Sequence, residues 1–162
     1  MVHSSPNITA INRTGCCVLQ ELPSLEAMET FGKRIAAKLR EGDVVALNGP
    51  LGAGKTTLAR AILRKLGVSK EIPSPTFTII EIYDDICPSI VHADFYRLED
   101  PQEALELGLS EYREDAVLIA EWPEHIGGFS HEPQCLDIKL EILGQKRRAI
   151  VEGGLDWLNR MP

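Results

Sequence analysis

Gly49-Pro50-Leu51-Gly52-Ala53-Gly54-Lys55-Thr56-Thr57 fits the spacing G-x-x-x-x-G-K-[ST], the Walker A pattern of a phosphate-binding loop. Asp43 to Asn48, just before it, reads as a buried strand, and Thr57 to Leu66, just after it, reads as a helix. In that helix Leu58, Ile62, Leu63 and Leu66 recur on one face, the spacing of an amphipathic segment. A glycine-rich turn between a strand and a helix is the setting in which this pattern has a physical meaning.

A triphosphate crowds negative charge onto closely spaced oxygens. Glycines let the backbone wrap those oxygens without side-chain clashes. The amide N–H groups of Gly52, Ala53 and Gly54 then point inward, reinforced by the positive end of the helix dipole. Lys55 is placed to span the β- and γ-phosphates and so to act in catalysis as well as binding. The Thr56 hydroxyl would take one position on octahedral Mg²⁺, and Thr57 suits a more proximal phosphate. No N-K-x-D guanine-reading motif and no G-x-G-x-x-G dinucleotide fingerprint is present, which favours ATP.

Mg²⁺ also needs an acidic partner, usually a carboxylate at the end of an apolar strand. Glu121 follows Val117-Leu118-Ile119-Ala120 and fits that place. Asp94 ends the strand candidate Ile90 to Tyr96, where alternation puts Val91, Ala93 and Phe95 on one face and His92, Asp94 and Tyr96 on the other. Asp94 could orient or deprotonate a water; a strand-end aspartate bonded to backbone would look the same. Thr76, after Pro73 and Pro75, could contact the γ-phosphate as switch threonines do, or cap a tight turn. His92 reads as structural, and Trp122 as either core or pocket.

Around these motifs, Cys16 to Glu21 is a short strand candidate. Ser24 caps a helix carrying Met28, Phe31, Ile35 and Leu39, with Gly42 as its stop. Thr76 to Tyr83 is β-rich, and Asp100-Pro101-Gln102-Glu103 opens a helix that ends near Gly108. Cys135 to Glu152 reads as a hairpin turning near Gly144-Gln145. Strands alternating with helices imply an α/β layered domain, a single-domain P-loop NTPase-like fold with a mixed central sheet and a C-terminal hairpin. Polar residues 1–14 read as a disordered extension and residues 15–162 as the domain.

The chain has 162 residues and a net charge of −7. An acidic chain of that size is suited to a protein partner rather than to holding nucleic acid alone. Arg34, Lys38, Arg60, Arg64 and Lys65 read as scattered solvated charges. No apolar run approaches the ~20 residues of a membrane helix. Cys16, Cys17, Cys87 and Cys135 form no C-x-x-C pair, so all four read as small core residues. With no secretion signal, the expected compartment is the reducing cytoplasm.

Four segments together are specific where the first alone is generic: the loop at 49–57, Ser74-Pro75-Thr76-Phe77-Thr78, His92-Ala93-Asp94-Phe95-Tyr96-Arg97 and Ala120-Glu121-Trp122-Pro123. In this order they resemble the bacterial TsaE family of tRNA threonylcarbamoyladenosine biosynthesis, from about Leu22 to the terminal hairpin. The resemblance implies an ATPase that binds ATP and Mg²⁺, is slow alone, and works with the two other subunits of the threonylcarbamoyl-transferase complex. It implies that turnover resets that complex and that tRNA is met only indirectly or transiently. It gives Thr56 and Glu121 as Mg²⁺ ligands, Asp94 as important for hydrolysis and Thr76 as part of a switch-like loop. Trp122 and Arg97 fall in matching positions, and the segment around Pro23 to Leu25 would cradle adenine. The chain departs from the family at Met28, where many members carry Thr. A small-molecule kinase and a non-hydrolysing nucleotide binder are the alternatives. The kinase would need a lid, which Arg147-Arg148 would supply only if their hairpin reached the γ-phosphate.

Overall fold

The computed structural model describes residues 7–12, 15–75 and 79–162. Along the chain these form β1 (Asn7–Asn12), β2 (Gly15–Leu22), α1 (Leu25–Lys38), β3 (Val44–Asn48), α2 (Lys55–Lys65), β4 (Ile80–Tyr83), β5 (Ser89–Asp94), α3 (Pro101–Glu106), α4 (Leu109–Tyr112), β6 (Ala116–Glu121), β7 (Cys135–Leu143) and β8 (Lys146–Gly153). The strands form one sheet in the order β1-β2-β8-β7-β3-β6-β5-β4. Its centre is parallel: β3 runs with both β7 and β6, and β5 runs with β6. The flanks are antiparallel, with β8, β2 and β1 on one side and β4 on the other. This is a single-domain, mixed α/β P-loop NTPase-like fold.

Residue parity decides which side of the sheet each side chain serves. Val45 and Leu47 of β3, Ile90 of β5, and Val117 and Ile119 of β6 pack with α1 and α2. Their neighbours Val44, Ala46, Val91, Ala93, Leu118 and Ala120 pack with α3 and α4. Both faces are covered, so these central strands are almost continuously apolar. The same parity continues two residues past Ile119 to Glu121 and four past Ile90 to Asp94, which therefore project toward α2 and the loop that precedes it.

Local chemistry sets the helix ends. The Ser24 side chain accepts from Ala27 N at 3.1 Å and starts α1; that of Asp100 accepts from Gln102 N at 2.9 Å and starts α3, with Pro101 in its first turn. α1 stops at Lys38, short of Gly42, because Leu39 is extended and the Asp43 carboxylate accepts from Arg40 N at 2.8 Å. α2 begins at Lys55, earlier than the apolar spacing suggested, with Gly54 at φ 105° as its cap.

Other sequence expectations change with tertiary context. Within the segment 1–14 expected to be an extension, Asn7–Asn12 forms β1 and pairs with β2, whose free edge offers unpaired backbone groups. Within the β-rich run Ile80–Tyr83 forms a strand; residues 76–78, Thr76 among them, lie outside the described residues. Cys16 and Cys135 are buried and Cys17 is half-buried, but Cys87 is exposed, in the polar turn between β4 and β5. Arg34, Arg60 and Arg64 are not merely solvated. Arg34 donates to Gln20, Arg60 to the Ile72 carbonyl, and Arg64 to the Val68 and Lys70 carbonyls. Among the described residues no helix is long and apolar enough to cross a membrane.

Candidate functional site

The parallel strands deliver their C-terminal ends to one edge of the sheet, where open α/β sheets place ligands. β3 passes into the loop 49–54, and β5 and β6 end side by side with Asp94 opposite Glu121. A cleft of about 300 Å³ opens there, lined by Leu51, Gly52, Gly54, Lys55, Thr56, Thr57, Asp94, Tyr96, Glu121 and Trp122. Of the sequence candidates, Gly52, Gly54, Lys55, Thr56, Thr57, Asp94 and Glu121 thus meet in one place. Ala53 is fully buried beneath the loop, and Arg97 does not line the cleft.

Glycine is favoured at particular positions of the loop. Gly49 has φ 144° and Gly52 φ 81°, backbone states that side chains disfavour. A Cβ at Gly49 would sit 2.7 Å from the Leu140 carbonyl oxygen, and one at Gly54 would sit 2.9 Å from the Met28 methyl. The second contact also places Met28, which is buried against the loop.

Charged groups here are nearly dry. Lys55 is 6% exposed, Asp94 5% and Glu121 2%. The Lys55 ammonium donates to the Gly49 carbonyl and to the Pro50 carbonyl at 3.0 Å, and lies 4.1 Å from the centre of the Trp122 ring. Burial pulls its pKa below the usual lysine value, while Glu121, Glu124 and Asp94 oppose that shift. Thr56 Oγ1 donates to Glu121 Oε1 at 2.8 Å. Asp94 Oδ1 accepts from Tyr96 N at 2.9 Å, so the backbone bond expected of a strand-end aspartate is present in a residue that also faces the cleft.

Trp122 belongs to the pocket. Its backbone has φ 55°, a left-handed state rare for a bulky residue. It turns the end of β6 sharply into the 3-10 turn Pro123–Ile126. The indole then meets Tyr96 at 5.1 Å and His125 at 5.4 Å between ring centres, which gives the cleft an aromatic rim.

A second cavity of about 220 Å³ lies across the loop, lined by Leu22, Ser24, Leu25, Met28, Gly52, Ala53, Gly54, Thr57, Gln145 and Arg147. Arg147 Nη2 donates to the Gly52 carbonyl at 3.2 Å. The terminal hairpin therefore touches the loop, but from the side away from Asp94 and Glu121. Arg148 is turned to Glu141 at 3.2 Å, so the pair does not make a lid over the carboxylates.

The donor set suits a hard cation held jointly with phosphate oxygens. Among the described residues no group of three or more His, Cys, Asp or Glu could hold a metal unaided. One hydroxyl and one carboxylate in contact, at a helix N-terminus beside a lysine, are what Mg²⁺ takes when it keeps waters and shares phosphate ligands.

Sequence reasoning missed two contacts here. His92 Nε2 lies 2.7 Å from Glu121 Oε2; the shared parity of residues 92 and 94 was the available signal. Arg147 on Gly52 had none, since the two residues lie far apart in sequence.

Comparison with known proteins places this geometry. The family model described as "Threonylcarbamoyl adenosine biosynthesis protein TsaE" matches residues 22–150. A tRNA threonylcarbamoyladenosine biosynthesis protein TsaE of Rickettsia typhi is 36% identical over 131 residues, covering 80% of this chain and 90% of that protein. The protein of the same description from Haemophilus influenzae is 38% identical over 123 residues, covering 72% and 78%. The one from Mycobacterium tuberculosis is 40% identical over 129 residues, covering 74% and 76%. Among solved structures, YdiB of Bacillus subtilis superimposes with a TM-score of 0.72 at 29% identity, covering 87% of this chain and 88% of that one.

Proposed function

This chain belongs to the TsaE family, and so has a role in tRNA threonylcarbamoyladenosine biosynthesis, and from that premise we propose that it is a Mg²⁺-dependent ATPase whose turnover resets a partner transferase complex. The observation that carries the reading is the contact of Thr56 Oγ1 with Glu121 Oε1 at 2.8 Å, in a cleft that Lys55 and Asp94 also line.

In this reading the amides of Gly52, Ala53 and Gly54 and the N-terminus of α2 receive the phosphates. Lys55 leaves the Gly49 and Pro50 carbonyls for the β- and γ-phosphates, exchanging neutral acceptors for charged ones. Thr56 and Glu121 would hold Mg²⁺, which would supply charge neutralisation to the phosphates. Asp94 orients the attacking water or takes its proton. Thr57 contacts a more proximal phosphate, and Thr76 takes the switch-threonine role that its motif implies. Ser24, Leu25 and Met28 wall the cavity where adenine would lie, with the Met28 thioether replacing a hydroxyl contact by an apolar one.

The partners are the two other subunits of the bacterial threonylcarbamoyl-transferase complex, and the working compartment is the cytoplasm. tRNA is met within that assembly, indirectly or transiently. The test is phosphate release from ATP by the purified chain, alone and with the two subunits. Slow turnover that rises at least several-fold with the partners is expected; fast turnover indifferent to them overturns the reading. Lys55→Ala should weaken nucleotide binding by about 1.5–3 kcal/mol, the worth of a hydrogen bond to a charged group, and calorimetric titration measures it.

A further inference from the structure

His92 is fully buried, and its cost has no structural return except at one atom. It sits on β5 opposite Ile119 of β6, in the layer that Ile90, Val117 and Ile119 make apolar. A buried polar group without a partner is destabilising, because it loses its water without gaining a hydrogen bond. Nδ1 has no hydrogen-bond partner among the described residues. The ring's hydrogen bond is from Nε2 to Glu121 Oε2 at 2.7 Å. An ionised carboxylate only accepts, so Nε2 carries the proton. An aliphatic side chain would fill the same layer with no orphaned nitrogen, so folding alone gives no reason for an imidazole here.

Glu121 supplies the reason. Its Oε1 is held by Thr56 from α2 and its Oε2 by His92 from β5. Two donors on different elements fix both the position and the plane of one carboxylate. We propose that His92 is the positioning residue of Glu121: by holding Oε2 on the sheet side it keeps Oε1 turned to the Thr56 hydroxyl and the loop, where a divalent cation would be shared. The inference rests on the magnesium reading of Thr56 and Glu121. The imidazole touches neither nucleotide nor cation; it acts through the carboxylate, as outer partners of metal ligands do.

The test is direct Mn²⁺ binding to the ADP-loaded chain, read from the electron paramagnetic resonance of free Mn²⁺, for the parent, H92Q, H92N, H92F and E121A. A glutamine amide reaches the place of Nε2, whereas an asparagine amide reaches only that of Nδ1. H92N and H92F should raise the Mn²⁺ dissociation constant roughly 10–100-fold, the usual effect of losing an outer partner. H92Q should stay within about threefold of the parent because the donor is restored. ADP titration in EDTA monitors the loop, and a variant that loses ADP there is left out in favour of the H92Q and H92N pair. Metal binding equally weak in H92Q and H92N would assign His92 to packing and overturn the proposal. So would parent-like binding in H92N alongside a loss in E121A. Parent-like binding in E121A would instead overturn the magnesium reading beneath it.

Discussion

The parallel and antiparallel parts of the sheet end very differently. Where β3, β5 and β6 end, a loop, two carboxylates and an aromatic rim converge within one cleft. Where β8 and β2 run antiparallel, the ends are tied by structural contacts instead. Beyond β8 the Trp157 side chain is fully buried against Gly153, and its indole donates to the Gln134 carbonyl at 2.8 Å. Arg160 then forks onto both oxygens of Asp43 at 2.8 Å and onto the Lys38 carbonyl. That locks the chain's last residues to the start of β3 and the end of α1. Parallel strands bring all their C-terminal ends to one edge, so polar side chains there can act together. Antiparallel neighbours send alternate ends to opposite edges, and this part of the molecule provides stiffness and one reach across the loop, through Arg147.

Removing a group from each part should separate activity from stability. The largest effect is expected of Asp94→Ala, which should lower ATP turnover by roughly 10²–10⁴-fold, the range for losing a positioned base. Phosphate release, set beside a nucleotide titration that stays near the parent value, measures it; full turnover would remove Asp94 from the chemistry. Trp157→Ala should instead cost about 3–5 kcal/mol of stability, seen as a lower denaturant midpoint, with the carboxylate cleft untouched in the folded fraction. Equal losses of turnover in folded protein would break the division between the two parts.

Arg147→Ala probes the contact between them at the phosphate loop. It removes the bond to the Gly52 carbonyl and should weaken nucleotide binding by about 0.5–1.5 kcal/mol, with little change in turnover at saturating ATP. The smallest effect is expected of Asp137→Asn on β7. Burial raises the Asp137 pKa, partly offset by the bond from Asn48. A carboxyl that binds its proton more tightly folded than unfolded lends stability below the unfolded value, about 3.9, and loses it as pH rises through the folded one. Asn keeps an acceptor for Asn48 and carries no charge. The variant should match the parent in acid and gain on it toward neutral pH, followed by urea unfolding across pH.

Much of this was legible in the chain because it depends on neighbours in sequence. The loop spacing, the caps at Ser24 and Asp100 and the alternation in β5 are local rules. Parity alone put His92 and Asp94 on one face. Other features depend on partners distant in sequence. Cys87 is exposed because its turn is polar, whatever the usual burial of cysteine. Asn7–Asn12 is a strand because β2 offers an edge, and the Arg60 and Arg64 guanidinium groups find carbonyls on the segment after α2. Trp122 could not be placed because its direction comes from a positive φ, which periodicity does not encode.

By itself the sequence determined the fold class, the phosphate loop, the two carboxylates at strand ends and the resemblance to one family. Each is written in spacing, and spacing along a helix or strand fixes direction. Only the tertiary structure decided that Thr56 and Glu121 touch, that His92 holds the other oxygen of that carboxylate, and that Met28 and Arg147 wall the far side of the loop. Those contacts depend on register between strands and on which helix covers which face. Burial of the whole core sets both, and no short segment carries that information.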